Sequence, residues 1–197
     1  MNTKQFAIRS LIPRDLRTSG ASVLLDVDRF LVVVDGVLQI IDKEKSLVFQ
    51  SGELACIDME ISHTFESEDG AKFLTFSSDF FLANEEGIWG PKIALQNYDV
   101  YEIVQGHDTQ GKWSAALIDI GDSPKHFHLV EKEHFIVVRG NLHIEVDGIH
   151  QELNVGEHIS ISPGQIHKLT STGQDPVRVL CLSIPAFTPQ DMFLVEE

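Results

Sequence analysis

Three imidazoles and a carboxylate occur in this chain at intervals that let them meet on one metal ion. His126-Phe127-His128 is followed, four residues later, by Glu133, and His167 comes just after the turn Ser162-Pro163-Gly164. Residues two apart on an extended strand point to the same face, so His126 and His128 are expected side by side. The residues between His128 and Glu133 suffice for a turn, after which Glu133 would open a neighbouring antiparallel strand. Phe135 and Val137 continue the alternation and put Glu133 on the inward, apolar face. Glu157 to Ile161 alternates as well, with Ile159 and Ile161 inward and His158 and Ser160 outward. Burying such a quartet without a partner costs on the order of several kcal/mol, and a divalent ion satisfies all four groups together. Imidazole with carboxylate suits Fe, Mn, Ni, Co or Zn better than Ca or Mg. On a six-coordinate ion, two positions stay open for water, substrate or O2. The ion would polarise a carbonyl or lower the pKa of bound water. Because the imidazoles must be neutral, occupancy is expected to fall below about pH 6.

The elements that must position these groups read as strands. Short apolar segments alternate with turn residues along the chain, and no long stretch keeps a helical period, so the chain is expected to be all-β. Residues 5–12 read as a strand and 14–22 as a loop. Phe30–Val34 and Val37–Asp42 read as the arms of a hairpin turning at Asp35-Gly36. Tyr98–Val104 reads as an edge strand or a segment covering the mouth of the site, and Trp113–Ile120 as the first strand of a second unit. The tail from Pro185 is expected to leave that unit, with a short helix near Pro189. A spacing recurs: Gly36, Gly52 and His63 are separated by 16 and 11 residues, as are Gly140, Gly156 and His167. Apolar alternation recurs with it, which implies an internal duplication. The halves differ chemically. Shifting His126 and His128 back by the repeat distance lands on Ser22 and Leu24, and Glu133 falls on Arg29 or Asp28. His63 alone survives at a ligand position and is expected to be structural, so the first half is expected to hold no metal.

The strings Gly121…His126-x-His128-x4-Glu133-x6-Gly140 and Gly156-x5-Ser162-Pro163-Gly164-x2-His167 resemble the two signatures of the cupin superfamily. Ser162 replaces the Pro usual there and Ser171 an often-found Asn, neither at a ligand position. The resemblance implies two cupin-type antiparallel β-barrels of the double-stranded jelly-roll kind, the N-terminal one degenerate: a bicupin. The expected domains are 1–90, without metal, and 91–197, metal-binding. It implies one divalent transition metal held by His126, His128, Glu133 and His167. The C-terminal barrel is similar to mannose-6-phosphate isomerase-like cupins. That implies a metal-dependent isomerase or epimerase of a sugar-like carbonyl compound, with an Fe(II) dioxygenase or a non-enzymatic ligand-binding module as the alternatives. No general base stands out. Cupins also often form dimers, so a homodimer is possible.

Composition narrows the partners. The 197 residues carry 30 acidic against 15 basic side chains, a formal net charge of −15. Nucleic-acid and anionic-membrane binding need clustered Lys and Arg, so neither is expected, and a small-molecule ligand is. Cys56 and Cys181 form no CxxC motif and read as small buried residues. Met1 to Phe6 shows no signal-peptide pattern and no apolar run is long enough to span a bilayer, so a cytoplasmic location is expected.

Overall fold

The computed structural model describes residues 14–16, 21–22, 30–41, 45–56, 64–76 and 92–196. Among them the regular elements are β-strands and two short 3-10 turns, and no helix is long and apolar enough to cross a membrane. The chain divides into two compact units, Gln5–Phe80 and Phe81–Glu197. The expected boundary at residues 90–91, the strand expected at 5–12 and His63 all lie outside the described residues.

In the first unit, β1 (Arg14–Leu16) and β2 (Ala21–Ser22) lie where the sequence reads as a loop. They are followed by β3 (Phe30–Ile41), β4 (Ser46–Gln50), β5 (Leu54–Cys56), β6 (Thr64–Glu66) and β7 (Ala71–Phe76). The expected hairpin at Asp35-Gly36 is instead one long strand. The first part of β3 pairs with β5 and β7, and the last part with β4 and β6. Gly36, at φ +82°, lets β3 bend from one set of partners to the other, and a Cβ there would stand 2.4 Å from the Gly70 carbonyl oxygen. A turn signal read locally is thus a bend that long-range pairing keeps inside a strand.

The second unit holds β8 (Lys92–Ala94), β9 (Tyr98–Val104), β10 (Ser114–Ile120), β11 (His126–His128), β12 (Lys132–Arg139) and β13 (Leu142–Val146). It continues with β14 (Ile149–Leu153), β15 (His158–Ile161), β16 (His167–Ser171), β17 (Val177–Ile184) and β18 (Met192–Leu194). One antiparallel sheet runs β15-β12-β17-β10-β9-β8, and the other β14-β13-β16-β11-β18. Side chains from both sheets, among them Phe135, Val137, Leu142, Ile144, Leu169 and Val179, form one buried cluster. Each such side chain contributes about 1.5–3 kcal/mol by leaving water. This is the two-sheet, jelly-roll arrangement, extended by β8 and β9 at one edge and by β18 at the other. The tail therefore does not leave the unit. After the 3-10 turn Pro189–Asp191 it returns as β18 and pairs with β11.

The strand orders of the two units correspond. In the first unit β1-β7-β3-β5 and β2-β6-β3-β4 pair as β10-β17-β12-β15 and β11-β16-β13-β14 do in the second. The match reaches single bonds. Val33 N donates to Glu53 O and Gly52 N to Val33 O, as Val137 N donates to Glu157 O and Gly156 N to Val137 O. Glu53 and Glu157 each accept the amide three residues back, at 2.7 and 2.6 Å.

Across the β10–β17 pairing, Asp119 faces Arg178. Arg178 donates from Nε and Nη2 to the two Asp119 oxygens at 2.7 and 2.6 Å, with both side chains about nine-tenths buried. Breaking a buried pair strands the surviving charge. Asp119→Ala is therefore expected to cost about 3 kcal/mol, read as a lowered midpoint in urea unfolding.

Candidate metal centre

The second unit brings together all four residues expected to be ligands. His126 and His128 occupy β11, separated by Phe127, which turns the other way and stacks on Phe193 of β18 with ring centroids 5.3 Å apart. His167 opens β16 directly opposite His126. Glu133 lies on β12, in the facing sheet rather than on a neighbouring strand. The quartet therefore spans the gap between the two sheets, three imidazoles from one and the carboxylate from the other.

Each of the four is buried, and their ligand atoms lie within 4.8 Å of one another. Glu133 Oε2 is 3.0 Å from His167 Nε2 and 3.5 Å from His128 Nε2. None of these three atoms has a hydrogen-bond partner. Two of the rings are fixed from their far side by main-chain carbonyls. His126 Nδ1–H donates to the Pro124 carbonyl at 2.8 Å, and His167 Nδ1–H to the Gln165 carbonyl at 3.1 Å. His128 Nδ1 stands 2.6 Å from Glu131 Oε1. A neutral imidazole that places its proton on Nδ1 has a lone pair on Nε2. Buried polar atoms without partners are rare, and lone pairs with a carboxylate oxygen between them fit a transition ion.

The electrostatics agree. Burial, helped by the neighbouring His167, pulls His126 down to about 4, so its ring is neutral well below pH 6. Burial also pulls on His128, but the carboxylates of Glu131 and Glu133 outweigh it and raise the pKa. Protons thus compete for His128 more than for His126. Burial pushes Glu133 up, yet the His167 contact and the other two rings hold it below its ordinary value. Cys181, held protonated by burial and by Glu133, donates its thiol to Glu133 Oε1 at 3.6 Å.

Residues 118–183, the segment holding every member of the quartet, match the family model of the cupin domain. This segment belongs to the cupin superfamily. An uncharacterized protein of Methanocaldococcus jannaschii, MJ1618, is 27% identical over 82 residues, covering 41% of this chain and 66% of the relative. Among solved structures, a Streptomyces PAC13 variant with uridine matches at 15% identity and a TM-score of 0.47, covering 54% of this chain and 85% of that one. A deletion mutant of Bacillus subtilis oxalate decarboxylase matches at 14% identity and a TM-score of 0.44, covering 91% and 71% of the two chains.

Within the cupin domain and its flanking strands, a cavity of about 260 Å³ runs from His126, His128 and Glu133 along β9, β10 and β18. Its walls are mainly apolar, including Tyr98, Val100, Ile118, Leu169, Phe187 and Met192, with Glu102 also lining it and accepting a hydrogen bond from Gln105 Nε2. Tyr98–Val104, expected as an edge strand or a mouth-covering segment, is instead an inner strand between β8 and β10, and its side chains line the cavity. Among the described residues, the remaining histidines stand apart from the quartet. His107 is exposed, and His134 is buried against Ser160 Oγ at 2.7 Å. His158 is half-buried, and His143 meets His150 on the β13–β14 hairpin at 3.2 Å.

Sequence reasoning missed Glu131 and Asp191. Glu131 is 2% exposed although it follows two exposed residues. Asp191 accepts the amides of Leu129, Val130 and Glu131 at 3.0, 3.1 and 3.0 Å, folding that loop under His128. Only a charged residue inside the motif hinted at the first, and nothing local at the second. Asp191→Ala is expected to cost about 2 kcal/mol and to speed amide exchange at residues 129–131. Burial nudges the Asp191 pKa up, but the three amides outweigh it and hold it below 3.8. A depressed carboxylate stabilises the fold fully above its unfolded pKa and loses that contribution as pH falls through the folded value. The stability gap between native and Asp191→Ala protein should thus be constant at neutral pH and close only below about pH 4.

Proposed function

We propose that the second unit is a mononuclear divalent-metal centre for a small carbonyl compound, and that it catalyses proton transfer beside that carbonyl, as an isomerase or epimerase does. The convergence of the three unpartnered atoms, His128 Nε2, His167 Nε2 and Glu133 Oε2, carries this reading. When bound, the ion supplies a Lewis acid that polarises the substrate oxygen. The chain supplies the rest. The His126 and His167 imidazoles are held in one tautomer by main-chain carbonyls, the apolar walls seat the ligand body and exclude water, and Glu102 is the candidate proton acceptor among the cavity-lining residues. Those walls suit a ligand with a hydrocarbon portion better than a densely hydroxylated sugar, since buried hydroxyls need partners.

Apolar walls also favour a second reading, in which an iron-loaded site uses O2. The two separate cleanly. Metal-loaded protein is incubated in D2O with a panel of small aldehydes, ketones and keto acids and followed by NMR, with oxygen consumption measured in parallel. Proton transfer predicts deuterium incorporation next to the carbonyl, lost in Glu102→Gln while metal content is kept. Oxygen uptake without exchange would replace it by the second reading. Ligand binding with neither response would make the protein a binding module.

A further inference from the structure

Glu131 distinguishes one imidazole of the quartet from the others. His126 and His167 each back onto a neutral main-chain carbonyl, whereas His128 backs onto a carboxylate. That carboxylate is almost wholly buried, its side chain 1% exposed against 3% for His128. Neither Glu131 oxygen has a conventional hydrogen bond, nor has His128 Nδ1, which faces Oε1 at 2.6 Å. Burying a carboxylate so thoroughly costs several kcal/mol on an order-of-magnitude scale, and the chain maintains the position actively. Asp191 grips the amides of residues 129–131, and Gly164 N donates to the His128 carbonyl at 2.6 Å, fixing both ends of the short loop.

We infer that Glu131 is a positioning residue that orients His128 and strengthens it as a donor toward the metal. The inference rests on the metal-centre reading of the site. A carboxylate facing Nδ1 at this distance favours the tautomer that carries its proton there, leaving Nε2 free, and pushes electron density toward that atom. A main-chain carbonyl locks the tautomer but carries no charge. The donor set is thus uneven by construction, with a charged group behind one ring and neutral carbonyls behind the other two.

The test uses Co2+ as a spectroscopic probe on metal-free full-length protein, comparing native, Glu131→Gln and Glu131→Ala. The variants are expected to bind about 10–100-fold more weakly, with Gln the milder, and to show shifted visible absorption bands. Melting of the metal-free proteins should change little. Native-like affinity and bands in both variants would overturn the inference, as would lowered melting with an unchanged cobalt spectrum, the mark of a purely structural role. Glu131→Gln preserves side-chain volume and keeps the test decisive if the alanine variant does not fold. Failure of the native protein to take up cobalt sinks the metal centre itself. Failure of the variants to differ from a native protein that binds sinks only the role of Glu131.

Discussion

His126→Ala and His167→Ala proteins are each expected to lose bound metal almost completely, while His63→Ala protein keeps the native stoichiometry. Removing a residue that only orients a ligand already costs about 10–100-fold in affinity, so deleting the ligand itself should cost more than about 100-fold. The two positions also differ in an instructive way. His167 has no exposed surface and its Nε2 lies 3.0 Å from Glu133. His126 lines the cavity. The alanine at 167 therefore leaves a closed hole beside a carboxylate, whereas the alanine at 126 enlarges a space already present. Elemental analysis of the three purified proteins, with the exposed His143–His150 pair removed as a control, reads the outcome directly. Equal metal content in all of them would remove the assignment of the quartet.

The second large effect separates the repeats. Gly36→Ala is expected to destabilise the first unit by about 3 kcal/mol, adding a left-handed backbone cost of about 1–2 kcal/mol to a steric one. Gly140→Ala in the second unit should cost nearer 1 kcal/mol, the backbone part alone. Both glycines have φ near +80°, yet a Cβ at Gly36 meets the Gly70 carbonyl oxygen at 2.4 Å, while at Gly140 the nearest atom is Val177 Cα at 3.4 Å. A backbone carbonyl cannot swing aside as a side-chain tip can. Amide exchange over β3 and β7 should report the first change, and exchange over β12 and β17 the second. Equal effects would mean that the close approach at Gly36 relaxes at little cost.

Both predictions start from features legible in the chain itself. The repeat of Gly36 and Gly52 as Gly140 and Gly156 is a matter of counting, and the structure shows it as the same pair of backbone bonds around Val33 and Val137. The Asp35-Gly36 signal was legible too, but its meaning was not. A glycine at positive φ serves a hairpin or a bent strand equally well, and only the partners of β3 decide between them. The tail posed the same difficulty. Pro185 and Pro189 argue against a continuing element, and the return of β18 to β11 depends on an edge far away in sequence.

The sequence by itself determined the residue types of the candidate site, the common face of His126 and His128, and the inward direction of Glu133. Strand periodicity sets which side of a strand a residue takes, and that rule needs no knowledge of the rest of the chain. Only the tertiary structure decided that Glu133 reaches the imidazoles from the opposite sheet, that Glu131 is buried behind His128, and that Cys181 donates to Glu133. Those facts depend on which sheet each strand joins and on loops held by partners about 60 residues away. Periodicity carries no information about either, because pairing between distant segments is settled by the packing of the whole unit.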